Sequence, residues 1–167
     1  RHYTLVREQY LQQGMNFGRG GWYSLLLMSV RPGAPYRDRF EEDGTVLIYE
    51  GHDERRRSAS HDPKQDDQPE YTIGRSLTQN GRFFQAAKAF QRGERKPELV
   101  RVYEKLREGI WAYNGMFELV DTWREFDGQR YVFKFKLIAL SDAVDAPDSI
   151  ITGERRRIIP TPVKLAV

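Results

Sequence analysis

Apolar positions along this chain fall into blocks with two different periods. Residues 22–30, from Trp22 to Val30, form a nearly continuous apolar run that is short and β-rich, which predicts a buried strand. Residues 45–49 predict a second strand. From Leu99 the period becomes two: Val100, Val102 and then Leu106 and Ile110 alternate with charged residues, as in a half-buried strand or a distorted pair of strands. Residues 116–123 and 130–139 are the clearest strands, and Asp127-Gly128 between them is a hairpin signal. In the second of these, Tyr131, Phe133, Phe135 and Leu137 share one face, and Val132, Lys134 and Lys136 the other. A helical period appears where Leu77, Phe83, Phe84, Ala87 and Phe90 cover one broad face, from a start at Ser76 or Thr78 to a stop at Gly93. A shorter helix is predicted over residues 4–13, with Thr4 as its cap and Leu5, Tyr10 and Leu11 on one side.

The segments between these blocks are equally informative. Residues 14–21 contain four glycines and read as a flexible approach to the first strand. Residues 31–43 form a loop rich in turn residues, with Gly33 and Gly44 near its ends. Residues 51–74 read as an exposed excursion, because a stretch almost without apolar side chains cannot pack a core; so long a loop in a compact domain is either disordered or functional. Beyond Leu140 the composition turns loop-like, with Pro147, Pro160 and Pro162. The division that follows is an N-terminal helix and glycine-rich approach over 1–21, one folded domain over 22–140, and an extension over 141–167. The predicted class is α+β: a curled β-sheet or partly open β-barrel flanked by helices, without βαβ alternation.

Composition narrows the function classes. A chain of 167 residues is one domain with room for a real core. Charged residues make up 31% and no apolar run reaches about 18 residues, so no membrane span is predicted. The first residues lack the layout of a signal peptide. The absence of cysteine rules out disulfides and thiol chemistry and suits a cytoplasmic protein. The net charge is only +3, but the basic residues are clustered: Arg55-Arg56-Arg57, Arg155-Arg156-Arg157, and the series Arg75, Arg82, Lys88, Arg92, Arg95 and Lys96. Such clusters are either solvated surface or contacts to phosphates.

The most specific chemistry lies in Pro35-Tyr36-Arg37-Asp38 and Ile48-Tyr49-Glu50-Gly51-His52-Asp53. Two aromatic faces and one acid can sandwich a flat heterocycle and read its amino edge, as flipped nucleobases are held. The same residues are also compatible with ordinary loop and core positions. Enzyme signatures are poor. His52-Asp53 and His61-Asp62 lie in a loop and make a weak metal set. No Gly-x-Ser-x-Gly elbow is present, and Gly18-Arg19-Gly20-Gly21 lacks the lysine and hydroxyl of a phosphate loop. No catalytic residue, metal or cofactor is assigned.

The order of motifs resembles the SRA domain (SET- and RING-associated, or YDG), a modified-cytosine reader of bacterial modification-dependent restriction enzymes and eukaryotic chromatin proteins. The resemblance covers residues 22–140. It rests on Leu27-Met28-Ser29-Val30 leading to Gly33-Ala34-Pro35-Tyr36-Arg37-Asp38, on Leu47-Ile48-Tyr49-Glu50-Gly51-His52-Asp53, and on Leu77-Thr78-Gln79-Asn80-Gly81-Arg82. It continues in Arg101-Val102-Tyr103, in Tyr113-Asn114-Gly115-Met116-Phe117 where the family has Tyr-Asp-Gly, and in Tyr131-Val132-Phe133-Lys134-Phe135.

The resemblance implies a PUA-like, SRA-type fold and a double-stranded DNA partner containing 5-methylcytosine or 5-hydroxymethylcytosine. Tyr36 and Tyr49 would stack on the flipped base, and Asp38 would meet its amino edge. Glu41, Glu42 and Asp43 are alternatives to Asp38, since the family's acid often stands three residues after its tyrosine. Backbone or groove contacts would come from Arg31, Arg37, Arg39, His52, Arg75 and Arg82. Tyr113-Asn114-Gly115 is expected to be architectural, its asparagine keeping a turn-forming habit. The family's Asn-Lys-Arg finger has no equivalent, which leaves residues 51–74 or 31–39 to fill the space vacated by the base. Residues 158–167 resemble a linker toward a fused HNH nuclease, so this chain is expected to be non-catalytic itself; oligomerisation is left open. The alternative is a PUA/ASCH-like RNA-binding or nucleotide-processing domain.

Overall fold

The computed structural model describes residues 13–19, 21–107 and 110–140. The helix expected over 4–13, apart from Gln13, and the extension from 141 lie outside the described residues. Seven strands form one sheet: β1 (Met15–Asn16), β2 (Ser24–Met28), β3 (Arg39–Glu41), β4 (Val46–Glu50), β5 (Glu98–Arg107), β6 (Ile110–Phe126) and β7 (Tyr131–Ala139). Their order across the sheet is β1-β2-β5-β6-β7-β4-β3. A single described α-helix, α1 (Gln79–Gln91), connects the β4 side of the sheet to β5. The α+β class expected from the sequence is therefore the observed one.

The sheet is strongly curled. β2 and β4 are far apart in strand order, yet the Tyr49 hydroxyl on β4 donates to the backbone carbonyl of Leu27 on β2 at 3.0 Å. The concave side is filled by alternate residues of the strands: Leu26 and Met28, Leu47 and Tyr49, Val100 and Val102, Phe117 and Leu119, and Phe133, Phe135 and Leu137. The period-two pattern is the cause, since it sends every second side chain to one face. Helix α1 contributes Phe83, Ala86 and Ala87 to this core. Phe83 meets Phe135 edge-on at 6.0 Å, and Phe84 meets Phe133 at 5.3 Å. Thr78 caps α1 by accepting from the Gly81 amide at 3.0 Å, while its hydroxyl donates to the Glu70 carbonyl at 2.9 Å. No side chain fits at Gly81, where a Cβ would come within 2.3 Å of the Glu70 carbonyl.

Several sequence expectations are corrected in detail. The apolar run over 22–30 overshoots its strand: Trp22 and Val30 are 61% and 45% exposed, because pairing with β5 extends only from Ser24 to Met28. That pairing is parallel, the one such pair among the described strands. The loop over 31–43 contains the edge strand β3, paired antiparallel with β4. The alternating region after Leu99 resolves into two strands, and the second runs continuously from Ile110 to Phe126. Asn114 and Gly115 are not in a turn. They sit at a bulge in β6, where the register opposite Val102 and Tyr103 skips one residue.

The polar excursion after Gly51 is neither disordered nor merely exposed. Gln68 is 1% exposed and bridges two strands' backbones, donating to the Gly51 carbonyl at 2.6 Å and accepting from the Phe133 amide at 2.8 Å. Arg130, 4% exposed, pairs with Asp53 at 2.7 Å and donates to the carbonyls of Pro63 and Asp66 at 3.0 and 3.1 Å. Asp53 also pairs with Lys64 at 3.1 Å. A satisfied polar network orders a segment that has too few apolar residues to do so by burial. Among the described residues, no helix is long and apolar enough to cross a membrane.

Candidate functional site

A cavity of about 440 Å³ opens where β2 ends and the chain turns through residues 31–36. It falls in the size range of small-ligand pockets. Its apolar wall comes from Leu27, Met28 and Ala34, and its polar groups from Tyr36, Asp38 and His52. The parallel pairing of β2 with β5 fixes where β2 stops, and the antiparallel pairing of β4 with β7 brings Gly51 and His52 to the same place.

Tyr36 is held at both ends. Its hydroxyl accepts from the Asp53 amide at 3.1 Å, and the Lys64 ammonium lies 4.1 Å from its ring centroid. Lys64 is itself fixed by donating to the Pro35 carbonyl at 2.6 Å. Burial raises the Tyr36 phenol above its ordinary value, so the hydroxyl stays protonated.

Asp38 accepts from the Glu50 amide at 3.0 Å and from the Ser29 amide at 3.3 Å, which ties the loop to both β4 and the end of β2. Burial pushes its carboxyl up to about 7, with the two amides opposing the shift, the nearby Glu50 adding to it and Lys134 opposing it. Between the ordinary value of 3.8 and about 7, the folded protein keeps a proton that the unfolded chain has released. Stability is therefore expected to fall as pH rises through that window and to level off above it. Urea midpoints across the window should show this slope in the natural protein and a flatter profile in Asp38→Asn. An unchanged slope in the variant would assign it to another group.

Of the four carboxylates considered for the base edge, Asp38 is the one that lines the cavity; Glu41, Glu42 and Asp43 are exposed on β3 and the turn after it. Tyr49 is placed differently from Tyr36. It is fully buried in the core and does not reach the cavity surface, and its hydroxyl lies near the carbonyls of Leu27 and Gly14 and the imidazole of His52. Arg31 is exposed on the cavity rim. Arg37, Arg75 and Arg82 are exposed away from the lining, and Arg39 is paired with Glu41 at 2.9 Å. His61 bonds to Asp66 at 2.8 Å, whereas His52 lies in the cavity. Among the described residues there is no group of metal-ligating side chains.

Sequence reasoning did not find Lys105 and Trp111, which line the cavity from the β5–β6 arm. The alternation read from Leu99 stops at Ile110, and only the register of β5 against β6, which sets Lys105 opposite Trp111, carries the two to this rim.

No protein-family model and no curated protein matches the sequence. Solved structures do match. The SRA domain of SUVH5 in complex with methylated CHH DNA is 22% identical with a TM-score of 0.52, over 77% of this chain and 74% of that one. The same domain with hemi-methylated CG DNA is 21% identical with a TM-score of 0.50, over the same shares of the two chains. The curled sheet with its helix is thus the fold of an SRA domain.

Proposed function

We propose that this chain is a DNA-binding module that recognises 5-methylcytosine, with 5-hydroxymethylcytosine as a second substrate, by taking the flipped base into the cavity at Tyr36. The observation that carries this reading is the joint placement of the Tyr36 ring, the Asp38 carboxyl and an apolar wall around one cavity. The SRA fold and the methylated DNA in the SUVH5 complexes support it. In this scheme Tyr36 stacks on the base, the buried Tyr49 serves as the second aromatic wall once the His52 ring in front of it stands aside, and Asp38 accepts from the exocyclic amine. Leu27, Met28 and Ala34 offer apolar surface to the methyl group. Arg31, Arg37, Arg39, Arg75 and Arg82 supply charge to the phosphates, and residues 31–36 face the duplex.

Magnitudes support the scheme. Extruding a base costs a few kcal/mol. Aromatic stacking returns about 1–3 kcal/mol, and a hydrogen bond to Asp38, its carboxyl pushed up to about 7, returns about 0.5–1.5 kcal/mol in the neutral form and about 1.5–3 kcal/mol in the ionised form. Burying one methyl group adds only about 0.8 kcal/mol, near a fourfold preference, so stronger selectivity depends on how closely the apolar wall fits.

Within a larger protein the module would target a nuclease, with a fused HNH unit as the proposed partner; the chain itself carries no assigned catalytic group. An affinity panel over duplexes with cytosine, 5-methylcytosine and 5-hydroxymethylcytosine, with RNA alongside, tests the reading. Tighter binding to the modified duplexes is expected, with no cleavage products on adding divalent metal. Equal affinity for methylated and plain DNA, or a preference for RNA, would refute it in favour of a different PUA-like role.

A further inference from the structure

The side chain of His52 fills the place that the proposed function gives to the base. Its imidazole stacks on Tyr36 with centroids 4.2 Å apart and planes 11° from parallel. It also lies 5.7 Å from the Tyr49 ring, at 23°. A planar base needs about 3.5 Å on each of its faces, so none fits between Tyr36 and His52 as they stand.

The ring is bound there as a base would be. The Tyr49 hydroxyl reaches the carbonyls of Leu27 and Gly14 at 3.0 and 3.2 Å and can only donate to them. The same hydroxyl hydrogen-bonds with His52 Nε2, 2.9 Å away, and in either tautomer the neutral imidazole carries one N–H and one bare nitrogen. Burial holds the imidazole down to about 4, so it is neutral at neutral pH. A flat, neutral heteroaromatic ring with one N–H donor and one acceptor nitrogen is chemically close to a nucleobase.

The backbone that carries this ring is held in place. Asn80, 3% exposed in the first turn of α1, accepts from the His52 amide at 2.9 Å and donates to the His52 carbonyl at 2.8 Å. Any departure of the imidazole is then a rotation about its side-chain bonds, with no loop movement. Gly14 completes the seat: a Cβ there would stand 2.2 Å from His52 Cε1.

We propose that His52 is a displaceable plug: in the DNA-free protein its imidazole occupies the slot between Tyr36 and Tyr49, and the flipped base must replace it to bind. The inference rests on the base-flipping reading given above. The plug lowers the fraction of protein competent to take a base, and apparent affinity falls by that fraction. It taxes every flipped complex and leaves binding through the DNA backbone untouched. A base that merely visits the cavity thus fails to open it, and His52 becomes a determinant of specificity between flipped and unflipped binding.

The test measures binding of the whole chain to a duplex with one 5-methylcytosine and to its unmethylated counterpart, using the natural protein, His52→Ala and Tyr36→Ala. His52→Ala removes the plug and should tighten binding of the methylated duplex by about 2- to 10-fold, the weight of one aromatic contact. Weaker binding in His52→Ala, with a methyl preference retained by the natural protein, would make His52 a wall of the pocket and overturn the plug while the base-flipping reading stood. No methyl preference in the natural protein would overturn both. Imidazole NMR on the natural protein gives a readout that does not depend on the variants. Methylated duplex should shift the His52 resonances from those of a stacked, neutral ring to those of an exposed one; unchanged resonances at saturation would overturn the proposal.

Discussion

Lys134→Met is expected to destabilise the protein by about 3–5 kcal/mol, the usual cost of leaving one member of a buried ion pair alone. Lys134 on β7 stands directly opposite Glu50 on β4, and their charged groups meet at 3.0 Å with side chains only 4% and 5% exposed. Removing the ammonium leaves the Glu50 carboxylate in a place that water cannot reach. The double variant Glu50→Leu, Lys134→Met should recover most of the loss, because taking both charges away ends the desolvation penalty. Urea unfolding of the single and double variants decides this. A single variant within about 1 kcal/mol of the natural protein would mean that the pair carries no burial cost. The pair also bears on the site. Lys134 opposes protonation of Asp38, so its loss should move the Asp38 titration above about 7.

Tyr36→Ala is expected to weaken binding of a methylated duplex by about 5- to 150-fold, equivalent to the 1–3 kcal/mol of one base–aromatic stack. Binding of the unmethylated duplex should change little and stay strongly salt-dependent, since phosphate contacts supply it. Tyr36→Phe separates ring from hydroxyl: it loses the contact with the Asp53 amide but keeps the stacking face. The phenylalanine variant should therefore retain most of the methyl preference. A preference of natural size in Tyr36→Ala would remove this residue from the pocket. The substitution is suited to the purpose because Tyr36 sits half-buried in a loop and outside the core.

The strands around Phe117, Phe133 and Val100 were legible in the sequence because a buried face writes a period of two, and α1 because Thr78 and Gly93 punctuate it at both ends. The excursion after Gly51 was misread for a reason of the same kind. Hydrophobic patterning reports burial of apolar groups, whereas this segment is ordered by Gln68, Asp53 and Arg130 through hydrogen bonds and charge. Polar residues in a network look like polar residues in water until their partners, more than sixty positions away, are known.

At the candidate site the sequence by itself determined which chemistry was on offer: Tyr36, Asp38 and Tyr49 in an order that resembles a base reader. It also determined the curled, strand-dominated architecture, because local alternation dictates strands and strands must cover one another's apolar faces. Only the tertiary structure decided how those residues are deployed. It put Asp38 at the cavity ahead of its three acidic neighbours, and it buried Tyr49 completely. It also set the His52 ring against Tyr36, with Nε2 at the Tyr49 hydroxyl. Spacing along the chain fixes which side of a strand a residue takes. The curl that carries β4 across to β2, and Asn80 to the backbone of His52, comes from contacts between segments that no local pattern encodes.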